Sequence, residues 1–178
     1  YDEPVEFGVL THFAYPVEDS DEKLIVATTR PETMLGDTGV AVSPKDERYK
    51  NLVGKTIDLP IVGRKIPIFA DYYVDSEFGT GAVKTTPAHD PNDYAMGQRN
   101  NLEQINVFDE HAVVVEGYGK FSGMTRDEAR EAIVAEFEAL GLLDHVEDHD
   151  HSVMTCYRCH TKLEPWLSEQ WFVAVDRL

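Results

Sequence analysis

Disulfide-forming capacity and positive charge are what this chain lacks. Its 178 residues include two cysteines, Cys156 and Cys159, in a single C-x-x-C. One such pair does not resemble the disulfide framework of a small secreted protein. Basic residues number 16 against 33 acidic ones, a formal charge of −17. A surface that negative repels phosphate backbones and excludes broad nucleic-acid binding by the chain alone; a partner that inserts one end, or is gripped by another domain, is compatible with it. No apolar run approaches the length of a membrane span, and the start, YDEPVEF, carries acid where a secretion signal needs base. The expected compartment is the cytoplasm. Internal repeats and low-complexity tracts are also missing. What is present is ordinary: 42% hydrophobic and 28% charged residues describe a globular domain with a real core, and both ends read as cut from something longer.

Hydrophobic patterning suggests an opening hairpin, Val5–Tyr15 and Leu24–Thr28, around the acidic turn Glu18–Glu22. The second run ends in TTRPET, where Pro31 holds Arg30 extended and starts a short helix that Gly36 stops. Between Val40 and Val74, glycine and prolines divide brief strands, which reads as a curled or barrel-like sheet. Ile105–Phe108 and Ala112–Val115 suggest a further hairpin. Residues Arg126–Leu140 carry the clearest helix, with Thr125 and Glu128 as a capping box and Ala129, Ile133 and Phe137 at helical spacing. The acidic, histidine-rich Asp144–His151 reads as a surface loop or linker. The fold class is mixed α+β, a β-barrel-like domain with peripheral helices.

The densest chemistry lies in Gly79–Tyr94, GTGAVKTTPAHDPNDY. Ala82-Val83 begins a short strand, Pro91 suits the first position of a helix, and Asp90 becomes its N-cap with Asp93 three residues later. A D-P-x-D by itself is a helix cap and no more. Lys84, Thr85, Thr86 and His89 beside it turn the reading toward a pocket for a small polar ligand. A helix start favours ionised carboxylates, so Asp90 and Asp93 are expected to titrate low: poor bases, good anchors for a cation. Lys84 is either a solvated strand end, half of a buried ion pair, or a site cation. Arg30 can fork onto a phosphate or carboxylate, or pair with Glu32. Thr33 and Thr86 are hydroxyl donors, Thr28 and Thr29 can equally be plain strand residues, and His89 is assigned a structural hydrogen bond.

Three motifs in order, TTRPET at 28–33, GTGAVKTTPAHDPNDY at 79–94 and LEPWLSEQWFVAV at 163–175, resemble the editing domain inserted into class I valyl-, isoleucyl- and leucyl-tRNA synthetases. Lys84 before Thr-Thr-Pro and the run AHDPNDY are most similar to the valyl group; the isoleucyl group, clearing valine from tRNA(Ile), is the near alternative. The resemblance implies an aminoacyl-tRNA deacylase over residues 1–150 and a return segment, 151–178, leading toward the synthetase body. Its substrate would be the 3′ end of tRNA(Val) carrying threonine, because a hydrophobic synthetic pocket cannot strongly reject an isostere that adds a hydroxyl; valyl enzyme and threonine are the known case. On that reading Asp93, Lys84 and Thr86 are catalytic, Asp90, Arg30, Thr33 and Thr29 bind substrate, and Asp93 with Asp90 holds the α-ammonium and the threonine hydroxyl. The expected partners are that tRNA end and the rest of the synthetase, with no membrane and a monomeric isolated domain.

Editing itself is expected to need no cofactor. Cys156-Tyr-Arg-Cys159 has knuckle spacing, but one pair is half of a four-cysteine zinc site; the resemblance places the other half elsewhere in the parent enzyme. A site completed by His149, His151 or His160 is the alternative. From another class comes the reading of a non-catalytic, zinc-containing interaction module, which leaves the gathering of Arg30, Lys84, Asp90 and Asp93 idle.

Overall fold

A computed structural model describes residues 5–175; the acidic start at 1–4 and residues 176–178 lie outside it. Strand β1, Val5–Pro16, is long because apolar and β-branched residues run through it, and β2, Lys23–Thr28, folds back antiparallel with Thr11 opposite Thr28. This is the expected hairpin. A 3₁₀ turn at Pro31–Gly36 follows, with all six residues buried. Then come β3, Gly39–Val42, β4, Thr56–Asp58, and β5, Lys65–Ala70. Strand β6, Ala82–Thr85, leads into helix α1, Pro91–Asn100; helix α2 spans Arg126–Ala139 and strand β7 Leu143–Ser152.

The strands form two sheets, β2-β1-β7 and β4-β5-β3-β6. Between them lies the core, in which Phe13, Tyr15 and Val26 meet Val40, Val42, Ile57, Ile66 and Ile68. Helix α2 closes one side by inserting Ala129, Ile133 and Phe137, a stripe at helical spacing, and the Phe137 ring stacks on Phe13 with centroids 3.9 Å apart. The capping box of Thr125 and Glu128 forms as expected.

Three expectations are corrected. No closed barrel is formed among the described residues: the strands fall into two separate open sheets, β2-β1-β7 and β4-β5-β3-β6, with no ladder joining them into a cylinder. Nor is Asp144–His151 a loop. It forms the body of β7, antiparallel to β1 from Val5 opposite Ser152 to His12 opposite His145. Composition misleads here because β7 needs no apolar face of its own; it satisfies the backbone groups along the edge of β1 that β2 does not occupy. The expected hairpin around Asp109 shrinks to a single bridge, Phe108 to Val114.

Candidate functional site

Three chain segments converge where β6 meets α1. Gly81 turns the chain into β6 at φ +75°, with Asp46 and Ser76 so close that a Cβ there would meet both at 3.0 Å. Asp90 caps α1, accepting from the backbone N–H of Asn92 and Asp93 at 2.8 and 3.0 Å. Gly97, one face further along α1, leaves room for Pro87, so the helix start is pressed against the end of the strand. That contact brings Asp93 Oδ2 within 2.9 Å of the Thr86 backbone N–H.

The third segment is the 3₁₀ turn after β2. Lys84, 6% exposed, sends its ammonium into the turn and donates to Thr33 Oγ1 at 2.8 Å, Thr86 Oγ1 at 2.8 Å and Asp37 Oδ1 at 3.0 Å. An ammonium has three protons, so this cation is fully committed. Asp37 is the residue that sequence reasoning missed. It is fully buried and also accepts from the Thr86 hydroxyl at 2.6 Å and the Tyr15 hydroxyl at 2.7 Å. Burial pushes its carboxyl above the usual range, and the Lys84 ammonium opposes that. The only trace of Asp37 in the sequence is an acid that follows Gly36, four positions beyond TTRPET, shortly before an all-apolar strand.

All seven expected pocket residues, Thr29, Arg30, Thr33, Lys84, Thr86, Asp90 and Asp93, line one cavity of about 400 Å³. Their availability differs. The Thr33 hydroxyl donates to the Arg30 carbonyl at 3.0 Å while accepting from Lys84, and Thr86 is spent between Lys84 and Asp37. Arg30 is engaged on three sides: Nη1 donates to the His89 carbonyl at 2.7 Å, Nε faces Glu32 at 3.4 Å, and Nη2 pairs with Glu164. His89 is buried with both nitrogens engaged, Nε2 accepting from the Val107 N–H at 2.8 Å and Nδ1 3.2 Å from the Pro165 carbonyl. Burial holds its pKa down to about 4, so it is neutral with the proton on Nδ1. Among the described residues, Thr29 makes no side-chain hydrogen bond, and neither Asp90 nor Asp93 pairs with a cation.

The expected low titration of Asp93 is overturned. Its carboxyl is pushed up to about 7, first by burial, with the Asp90 charge adding to it; the Lys84 field and the Thr86 N–H pull the other way and lose. A helix start offers a fraction of a charge, and desolvation outweighs it at this depth.

The cysteines stand apart from this cavity. They sit in a small knuckle closed by the bridge of Thr155 with Lys162 and by the Cys156 N–H on the Thr161 carbonyl at 2.8 Å, and both are free thiols. Among the described residues the one group of three metal-capable side chains is His12, His145 and Glu147, on β1 and β7, so no third ligand joins Cys156 and Cys159 there.

A family model described as leucyl-tRNA synthetase, editing domain, matches residues 50–138. This chain belongs to that editing-domain family. Within it, the valine–tRNA ligase of Thermotoga maritima is 62% identical over 169 residues, covering 95% of this chain and 20% of the relative. The valine–tRNA ligase of Fervidobacterium nodosum is 56% identical over 181 residues, covering 99% of this chain and 21% of the relative. The chain thus spans about a fifth of the curated relatives it matches. A crystal structure of GlLeuRS-CP1 superposes with a TM-score of 0.62 at 13% identity, covering 79% of this chain and 99% of that one, which supports the fold. Identity to valine–tRNA ligases over nearly the whole chain favours the valyl group among the editing domains.

Proposed function

We propose that this domain hydrolyses the ester of mischarged tRNA, removing threonine from the 3′ end of tRNA(Val) on behalf of a valyl-tRNA synthetase of which it is the editing part. The observation that carries this is an unbalanced charge. Among the described residues Asp90 and Asp93 share a helix start without any partner cation, while Lys84, whose field reaches Asp93, has every proton committed to Thr33, Thr86 and Asp37. A site built with two anions and no counter-ion is completed by a ligand that brings its own ammonium. An aminoacyl ester does so beside the bond to be cleaved.

Asp93 then anchors the α-ammonium with Asp90 beside it. Arrival of that cation lowers the Asp93 pKa, so binding expels a proton from the fraction still protonated near neutral pH. The Thr29 hydroxyl is placed to receive the threonine hydroxyl or the ribose. Lys84, Thr86, Thr33 and Asp37 act as the fixed floor: their mutual hydrogen bonds hold the Thr86 N–H against Asp93 and so aim the carboxylate. This moves Lys84 and Thr86 from touching substrate to positioning the group that does. Water enters from the open side of the cavity and attacks the carbonyl that the anchored ammonium holds in place; the acyl C–O bond to the ribose breaks, threonine leaves as the free acid, and the ribose oxygen takes up a proton from the water.

The remaining assignments extend the same proposal. Residues 1–150 form the deacylase and 151–178 the return segment, though β7 runs through the join to Ser152. Zinc at Cys156 and Cys159 belongs to the full synthetase, where further thiolates complete the set. The domain works as a monomer in the cytoplasm; no helix among the described residues is long and apolar enough to cross a membrane.

The test is deacylation of threonyl-tRNA(Val) by the domain, with valyl-tRNA(Ile) as the competing substrate. Preference for the first supports the valyl reading; preference for the second transfers it to the isoleucyl group. No hydrolysis of either, by a domain that folds, would leave the interaction-module reading in its place.

A further inference from the structure

A second cavity, of about 230 Å³, adjoins the first and shares Thr29, Arg30 and Asp90 with it. In a chain with 16 basic residues among 178, it gathers four of them: Arg30, Arg126, Arg130 and Lys162. Two of their anionic partners differ in kind. Glu32 is fully buried and takes Arg130 at 2.9 and 3.1 Å and Arg30 at 3.4 Å, a permanent part of the interior. Glu164 comes instead from a stretch, 163–174, with no helix and no strand pairing, and its two carboxylate oxygens bridge Arg30 Nη2 and Arg126 Nη1, the latter at 2.7 Å. A carboxylate shared between two guanidiniums marks a place that holds one anion by two oxygens, and arginines bind carboxylate and phosphate oxygens by the same charge-assisted hydrogen bonds.

Both guanidiniums keep their orientation without Glu164. Arg30 remains on the His89 carbonyl at 2.7 Å and beside Glu32, and Arg126 remains on Asp127 through Nε at 2.9 Å and Nη2 at 3.1 Å. We propose that the Arg30–Arg126 fork is a subsite for the phosphate of the terminal nucleotide of the substrate, occupied by Glu164 as a stand-in until the tRNA end displaces it. This rests on the editing reading: an aminoacyl ribose in the first cavity carries its phosphate across the width of the sugar, and the adjoining second cavity, which shares Thr29, Arg30 and Asp90 with the first, is where the guanidiniums gather. It also answers how a domain of charge −17 holds an anionic end: the attraction is concentrated at one preformed fork beside the chemistry.

The test uses Arg126→Gln and Glu164→Gln, with thermal unfolding as the folding control. Binding of adenosine 5′-monophosphate, adenosine and inorganic phosphate is measured by calorimetry, and threonyl-tRNA(Val) deacylation by kcat and KM. The monophosphate should bind at least ~10-fold tighter than adenosine; Arg126→Gln should erase that difference, and Glu164→Gln should widen it. In deacylation, Arg126→Gln should raise KM with kcat nearly kept and lower the salt slope of kcat/KM by about one. Equal binding of monophosphate and adenosine, or a KM and salt slope unmoved by Arg126→Gln, overturns the subsite while deacylation by the parent domain leaves the editing reading standing. Inorganic phosphate binding as tightly as the monophosphate overturns the nucleotide assignment and makes the fork a free-anion site. If the parent domain deacylates nothing, the editing reading fails, and the calorimetric arm still decides the fork.

Discussion

Two charge clusters share the wall of the polar cavity, and they are opposites. On the floor, the Lys84 ammonium lies among Asp37, Thr33 and Thr86 with no proton to spare, and Asp37 has three donors of its own. At the helix start, Asp90 and Asp93 face each other's charge with no cation, and the Asp93 pKa is driven up to about 7. The floor is buried, whereas Asp90 and Asp93 are half-buried at the cavity wall. The first is satisfied internally and therefore serves the fold; the second is left wanting and therefore serves a ligand. Polar residues lining a pocket are thus not equivalent, and the hydrogen-bond ledger separates the supports from the contacts.

The sharpest way to break this contrast is Lys84→Met. If the floor is a closed ion pair, the variant leaves Asp37 buried without its cation and should lose about 3–5 kcal/mol in urea unfolding, most of it recovered when Asp37→Leu is added. A loss of deacylation with unchanged stability would place Lys84 on the substrate instead. Asp93→Ala should do the reverse, abolishing deacylation of threonyl-tRNA(Val) by 100-fold or more, about 3 kcal/mol of barrier, without lowering stability.

A smaller effect separates the clusters by pH. Asp93 must be ionised to hold an ammonium, so kcat/KM should fall roughly tenfold for each pH unit below about 7, and Asp93→Asn should abolish that limb along with activity. Stability responds with the opposite sign. A carboxyl raised from 3.8 to about 7 on folding binds its proton more tightly in the native state, so its contribution to stability declines as pH rises through that window. The difference between parent and Asp93→Asn in urea unfolding should therefore grow from near zero at pH 4 to about 1–4 kcal/mol in favour of Asn at pH 8. The smallest effect belongs to the cysteines. With Cys159 exposed and neither thiol in the core, replacing both by serine should shift the stability of the metal-free domain by less than about 0.5 kcal/mol.

Local signals carried their own structures faithfully. Pro91 behind Asp90 gave a capped helix, Thr125 with Glu128 gave a capping box, and the opening apolar run gave a hairpin, because each depends on groups within a few residues of one another. Strand β7 did not announce itself, since its reason for being extended lies 135 residues away in β1, where His12 meets Glu147. Asp37 stayed hidden for a similar cause: its partners Tyr15, Lys84 and Thr86 are distant in sequence, and nothing local marks an aspartate that will be fully buried.

By itself, then, the sequence determined which residues each motif would offer to the cavity, because the strand end, turn and helix start within a motif are set over a few residues. Tertiary structure decided what each is for. Whether Lys84 is a free cation, whether Arg30 is available to a phosphate and whether Asp93 titrates low or near 7 all depend on burial and on partners from remote segments. Desolvation and long-range charge are properties of the packed interior that no local stretch of sequence contains.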